Sequence, residues 1–221
     1  MMFMEGMMHG IWLKSFDKLD HQYVRELDKK VGGNCPSLLD VGCGFNSPVR
    51  TLTNRPKRLI GVDGFKPVIE QSRAAGIHDD YVQSSVLELD KCFEANSFDC
   101  VLASDLIEHL SKEDGFKLLD QMERISKDKV IVYTPNGFLP QGEEYGNPMQ
   151  KHISGWTVKE MRARGYKVTG IEGVRCLRGE MAEIRWRPRK IWEMVSLLSQ
   201  SFTTSCPSLA FRILCVKDMN V

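Results

Sequence analysis

The chain reads as an α/β domain with a doubly wound parallel sheet covered by helices on both faces. Three features predict this. Short runs of Val, Ile, Leu and aromatic residues alternate with stretches long enough for helices, one run leads straight into Gly42-Cys43-Gly44, and the next ends in an acid, Asp63. Alternation of this kind builds βαβ units. With 221 residues, 42% of them hydrophobic, there is material for one good core. The expected organisation is a single domain over 1–221, with a helical extension at 1–34 and a basic and apolar helical insertion at 173–208 before the last strand.

Taken in order, Ile11, Trp12, Phe16, Leu19, Tyr23, Val24 and Leu27 recur near a helical period, and Gly32-Gly33 closes the pattern. Strands are predicted at 38–41, 58–62, 80–83, 98–103, 129–133 and 166–171, each bounded by turn or helix signals. Ser111-Lys112-Glu113-Asp114 has the form of a capping box ahead of Phe116, Leu118, Leu119, Met122 and Ile125, and Thr157-Val158-Lys159-Glu160 is a second. Gly165 is a natural stop for the second helix. Arg175, Arg178, Arg185, Arg187, Arg189 and Lys190 make a basic stretch. A short apolar helix over 191–202 and a last strand over 209–216 follow it.

Thirty Lys and Arg against 29 Asp and Glu give a net charge of +1, so no global field points to nucleic acid or to an acidic membrane. A nucleic acid partner is not expected. No apolar run approaches the roughly 20 residues that span a bilayer, and neither a transmembrane span nor a secretory signal is read. The seven cysteines, Cys35, Cys43, Cys92, Cys100, Cys176, Cys206 and Cys215, are odd in number and form no C-x-x-C pair, which suits a reducing cytoplasm. Cys43, Cys100, Cys176 and Cys215 lie in or beside apolar runs, where a thiol serves as a small buried hydrophobe.

The most informative stretch is Leu38-Leu39-Asp40-Val41-Gly42-Cys43-Gly44-Phe45, a buried strand running into glycines. Glycine lets the backbone turn sharply and lets a ligand approach the main chain. About 20 residues later the second strand ends in Asp63, where a carboxylate of a doubly wound fold accepts hydrogen bonds from ribose hydroxyls. Together they predict a nucleoside-containing cofactor. A dinucleotide fingerprint would need glycine at Ser47, and no Gly-Lys-Ser/Thr of a phosphate loop is present.

These residues resemble the first motif of class I S-adenosylmethionine-dependent methyltransferases, hydrophobic-hydrophobic-Asp-hydrophobic-Gly-x-Gly. The resemblance continues through Leu59-Ile60-Gly61-Val62-Asp63, Asp80-Tyr81-Val82-Gln83-Ser84-Ser85, Phe98 to Leu110, and Val130-Ile131-Val132-Tyr133-Thr134-Pro135-Asn136, covering roughly 35–175. It implies a Rossmann-like sheet of seven strands in the order 3-2-1-4-5-7-6, the last antiparallel, and S-adenosylmethionine as cofactor. Gly42, Cys43 and Gly44 would then meet the methionine part, Asp63 the ribose, and Ser84, Ser85 and Val86 the adenine. Asp40, Gly64, Ser104 and Asp105 complete the cofactor set. Asn46 stands where many members have a third glycine, and Ser85 where many have an acid.

Methyl transfer from a sulfonium is an in-line displacement, and an oxygen acceptor also loses a proton. The fourth strand ends in Ser104-Asp105-Leu106-Ile107-Glu108-His109, at the edge where ligands of open α/β sheets bind. Within a helical turn Asp105 and Glu108 share a face. The catalytic candidates are Asp105, Glu108, His109 and His152, with His109 or His152 as general base. Glu108-His109 bracing the next helix is the bland alternative. A sharper alternative has all four bind one divalent metal, an arrangement similar to small-RNA 2′-O-methyltransferases, with His152 shortly before Trp156-Thr157. The main reading assigns no metal.

The expected reaction is O-methylation of a small molecule or glycan. A metal-assisted RNA 2′-O-methyltransferase and a non-catalytic cofactor-binding relative are the alternatives. The loop over 136–150 would carry acceptor specificity, and Trp156 would either stack on the acceptor or act as a hydrophobic staple. For 185–202 the simpler reading is a lid or dimer helix, and the other a peripheral membrane contact. No oligomeric state follows from the sequence.

Overall fold

The structure is a computed structural model that describes residues 22–33, 35–142, 148–179 and 182–219. Its elements are α1 (22–31), β1 (Ser37–Val41), β2 (Arg58–Asp63), α2 (Lys66–Ala74), β3 (Asp80–Gln83), α3 (Leu89–Cys92), β4 (Phe98–Ser104), α4 (Lys112–Ile125), β5 (Ser126–Pro135), α5 (Val158–Ala163), β6 (Lys167–Val174), α6 (Arg189–Ser205) and β7 (Ala210–Asp218). The strands form one sheet in the order β3-β2-β1-β4-β5-β7-β6. β1 to β5 run parallel, and β7 lies antiparallel to both β5 and β6. Strand order and the antiparallel β7 are those implied by the methyltransferase resemblance.

The period of two along the strands divides the core. Leu39, Val41, Val101, Ala103, Ile213 and Cys215 face one side, packed against Leu118, Leu119, Met122 and Ile125 of α4. Leu38, Cys100, Leu102, Ile131 and Leu214 face the other, where Tyr23, Leu27 and Val31 of α1 cover them. Each fully buried Leu or Ile contributes about 1.5–3 kcal/mol relative to exposure. Ile11, Trp12, Phe16 and Leu19, the rest of the expected N-terminal helix, lie outside the described residues.

Two strands run beyond their apolar signals. β5 begins at Ser126, because Phe98 pairs with Ser126 through the backbone before the apolar run starts. β6 continues to Val174 across an irregularity at Glu172 and Gly173, both at positive φ, and rejoins β7 at Ala210. Both capping boxes cap helices, with one difference. Glu160 reaches back to the Thr157 N–H at 2.9 Å and closes its box, whereas Asp114, one methylene shorter, only meets the Ser111 hydroxyl. Cys43, Cys100 and Cys215 are buried as expected, but Cys176 is exposed, in the turn that leaves β6.

Candidate active site

The glycine turn follows β1 directly. The Gly42 and Cys43 N–H groups both donate to the Val62 carbonyl, at 2.8 and 3.0 Å, which bends the chain away from the sheet. Gly42 has φ +69°, and a Cβ there would lie 2.7 Å from Leu106 Cδ1, so the position requires glycine twice over. The Gly44 N–H donates to Asp63 Oδ2 at 3.0 Å, and the Phe65 N–H donates to Oδ1 at 2.8 Å. The acid ending β2 is therefore pinned beside the turn. Burial raises its pKa above the ordinary carboxylate value, and the two N–H donors oppose that rise.

Gly64, Ser84, Ser85 and Val86 line the adjoining edge after β2 and β3, where the Ser84 N–H donates to the Asp63 carbonyl at 3.1 Å. Asp40 is deeper, 1% exposed, with Oδ2 accepting from Ser47 Oγ at 2.5 Å and lying 2.8 Å from His78 Nε2. It shapes the loop from below. The Cys43 thiol likewise points into the core, where burial pushes its pKa up. Ser104 closes β4 and accepts a hydrogen bond from the Tyr23 hydroxyl at 2.9 Å, which ties α1 to this edge.

Past β4 the chain makes a tight turn at Ile107–His109. The loop before α5 is docked onto it: the Ile153 and Ser154 N–H groups donate to the Glu108 carbonyl, and the Trp156 indole N–H donates to the Ile107 carbonyl at 3.1 Å. Trp156 is fully buried beneath the Lys112 ammonium, 4.0 Å from its ring centroid. It is a strut, not a stacking platform for an acceptor. This docking brings Glu108, His109 and His152 together, with one ligand atom from each within 4.8 Å of the others.

The protonation pattern of this cluster follows from its partners. His152 Nδ1 lies 2.7 Å from the Leu139 carbonyl and His109 Nδ1 lies 3.3 Å from the Lys151 carbonyl. A carbonyl only accepts, so the neutral His152 ring carries its proton on Nδ1 and keeps the Nε2 lone pair, whereas the His109 ring lies against several backbone carbonyls. Burial lowers both imidazole pKa values and favours the neutral rings. Glu108 is 1% exposed, with Oε2 accepting from Thr134 Oγ1 at 2.9 Å and Oε1 buried without any hydrogen bond. Burial, together with the neighbouring Asp105 charge, pushes its pKa up to about 8.

A buried carboxylate with one oxygen unbonded, clustered with two imidazoles that are each oriented by a backbone carbonyl, fits the donor chemistry of a divalent cation.

Asp105 does not share a helical face with Glu108. It sits before the turn at φ +48° and pairs with Arg212 of β7, whose Nε also lies 3.5 Å from Glu172 Oε2. Glu172 in turn accepts the Tyr133 hydroxyl, and the Tyr133 ring stacks on Tyr23 with centroids 3.6 Å apart. Asp105 is thus the exposed end of a buried charge chain beneath the site and not a member of the three-residue cluster.

Residues 39–134 match the model of a methyltransferase domain family. Over those residues the chain is similar to a methyltransferase domain, and its sheet has the fold of solved S-adenosylmethionine-dependent methyltransferases. A solved S-adenosylmethionine-dependent methyltransferase from Archaeoglobus fulgidus superposes with a TM-score of 0.57 at 17% identity, over 94% of this chain and 99% of that one. The methyltransferase domain of bacterial CtHen1-C gives 0.58 at 20% identity, over 92% and 100%. A small RNA 2′-O-methyltransferase of Tetrahymena thermophila is 27% identical over 201 residues, which is 76% of this chain and 47% of the relative. The chain spans about half the length of that curated relative.

Sequence patterns alone do not single out Arg212, Glu172 and Tyr133. For the first there is only a hint: one arginine in the apolar run Ala210 to Val216, which in a central strand needs a buried partner.

Proposed function

We propose that this chain is an O-methyltransferase that uses Glu108, His109 and His152 to hold a divalent cation and through it the acceptor hydroxyl. The observation that carries the reading is the orphaned Glu108 Oε1 beside two imidazoles with anchored Nδ1 atoms. A cation held there would supply Lewis-acid activation of an acceptor hydroxyl. The chain's own residues do the rest. Gly42 to Gly44 and Asp63 orient the donor, Asp63 accepting the ribose hydroxyls. The cluster would fix the acceptor beside it, so that the acceptor oxygen, its proton released to solvent, bonds the methyl carbon as the carbon–sulfur bond breaks and a neutral thioether leaves. Without the cation, His152 Nε2 is a competent acceptor for the departing proton.

The acceptor class we favour is a small molecule or glycan. A cleft of about 480 Å³ is lined by Phe138, Leu139, Arg175, Leu209 and Phe211, and it is linked to the cluster through Leu139, whose carbonyl anchors His152. That volume is of the size that takes a small ligand, and Arg175 offers it a positive charge. The second reading, methylation of an RNA 2′-hydroxyl, is favoured by the Tetrahymena relative. The seven cysteines, all free, support a reducing cytoplasm as the setting.

The test is transfer of labelled methyl to a catechol, a sugar and single-stranded RNA, each with chelator and with Mn²⁺. We expect transfer to a small hydroxyl acceptor, abolished by chelation and restored by Mn²⁺. Transfer to RNA alone would select the second reading. Turnover that ignores chelation and survives His152→Ala would overturn the role of the cluster.

A further inference from the structure

We propose that the outward face of α6 docks on a membrane surface bearing anionic lipid headgroups. The helix packs on β6 with its small residues inward. Ser196 and Thr203 are fully buried, and Ser199 Oγ accepts from the Val174 N–H at 3.1 Å. Glycines in the strand make this approach possible: a Cβ at Gly170 would lie 2.1 Å from the Thr203 carbonyl oxygen, and one at Gly173 would lie 2.4 Å from that of Ser196. With a small polar stripe inside, the large apolar side chains of α6 point out. Leu198 is 74% exposed, and Ile191, Met194 and Phe202 are each more than half exposed. Such a face leaves water only by meeting another apolar phase.

Charge selects the occupant. Arg185, Arg187 and Lys190 are exposed at the start of this face together with Trp186. Over 185–205 there are four basic residues and a single acid, Glu193, which pairs with Arg189 at 3.2 Å. In a second copy laid antiparallel on the face, the partner's 194–206 would meet Arg187 and Lys190 with no charged residue at all, and laid parallel it would set basic end on basic end. An anionic bilayer satisfies both halves: headgroups take the basic end, acyl chains take the apolar side chains, and Trp186 sits at the boundary.

The 17-residue helix is about 25 Å long, and among the described residues no helix is long and apolar enough to cross a membrane, so α6 would lie in the interface. Arg185 belongs both to this basic end and to the lining of the 480 Å³ cleft.

The test is co-sedimentation of the full chain with vesicles of phosphatidylcholine, with and without phosphatidylglycerol. S-adenosylhomocysteine titration serves as the control for folding. We expect binding to the anionic vesicles that weakens with salt. Leu198→Glu with Phe202→Glu should weaken it roughly tenfold or more while leaving cofactor binding unchanged. Arg187→Glu with Lys190→Glu should remove the preference for anionic lipid. Failure of the wild type to bind any vesicle at low salt, or binding indifferent to the Leu198/Phe202 pair, would overturn the proposal. So would a wild-type dimer that Leu198→Glu dissociates, since a second copy would then cover the face.

Discussion

At the donor end of the catalytic edge the carboxylates are held by the chain itself. Asp63 accepts the Gly44 and Phe65 N–H groups, and Asp40 is bound by Ser47 and His78. At the Glu108 cluster, the proposed acceptor end a few residues past β4, Glu108 leaves one oxygen buried and unbonded beside two imidazoles that are themselves anchored. Both ends are buried, but only the first is complete as the chain folds. A completed site is rigid before its ligand arrives, whereas an orphaned carboxylate raises the cost of its own charge until a proton or a cation supplies the missing partner. On the proposed reading, the glycine turn with Asp63 is a preformed cradle for the donor, and the Glu108 cluster is a site finished by what binds there.

Breaking the two ends should give opposite signatures. His152→Ala should lower turnover by about 10²–10⁴-fold while S-adenosylhomocysteine binds as before, seen by pairing a methyl-transfer assay with calorimetry. Gly42→Val forces a β-branched residue to φ +69° against Leu106, and should weaken S-adenosylhomocysteine binding by roughly 100-fold or more. Asp63→Ala loses the equivalent of one charge-assisted hydrogen bond of about 1.5–3 kcal/mol, so the same titration should weaken by about 10–100-fold. A donor-end substitution that spared binding, or an acceptor-end one that abolished it, would break the comparison.

The smallest effect is one of pH. Glu108 has a folded value of about 8 against an ordinary 4.5. Between these values the folded state binds the proton more tightly than the unfolded chain. Its contribution to stability is therefore full below about pH 4.5, falls as pH rises, and is exhausted above about 8, a change of a few kcal/mol at most. Melting curves in chelator across that window should slope downward for the wild type and lie flatter for Glu108→Gln.

How far each end was legible follows from where its partners lie. Gly42 and Gly44 follow β1 and Asp63 ends β2, adjacent strands whose order the sheet rules supply, so the contact between the glycine turn and the acid is legible in the sequence. His152 was named as a candidate, but what brings it to Glu108 is the Trp156 and Ser154 docking onto Ile107 and Glu108, a tertiary contact with no local pattern. Asp105 was misplaced because its partner is Arg212, 107 residues away. For α6 the apolar residues were visible, but not which side faces in. That is decided by Gly170 and Gly173 in a neighbouring strand, which admit Ser196 and Thr203 more closely than any large side chain would allow.

The most direct test of the acceptor end is calorimetric titration of chelator-treated protein with Mn²⁺ at pH 7, repeated in buffers of different ionisation enthalpy. With Glu108 titrating near 8, a cation must displace its proton on binding. The account predicts one site, release of about one proton per cation, and loss of both in Glu108→Gln and His152→Ala. Binding without proton release, or unchanged by either substitution, would contradict it.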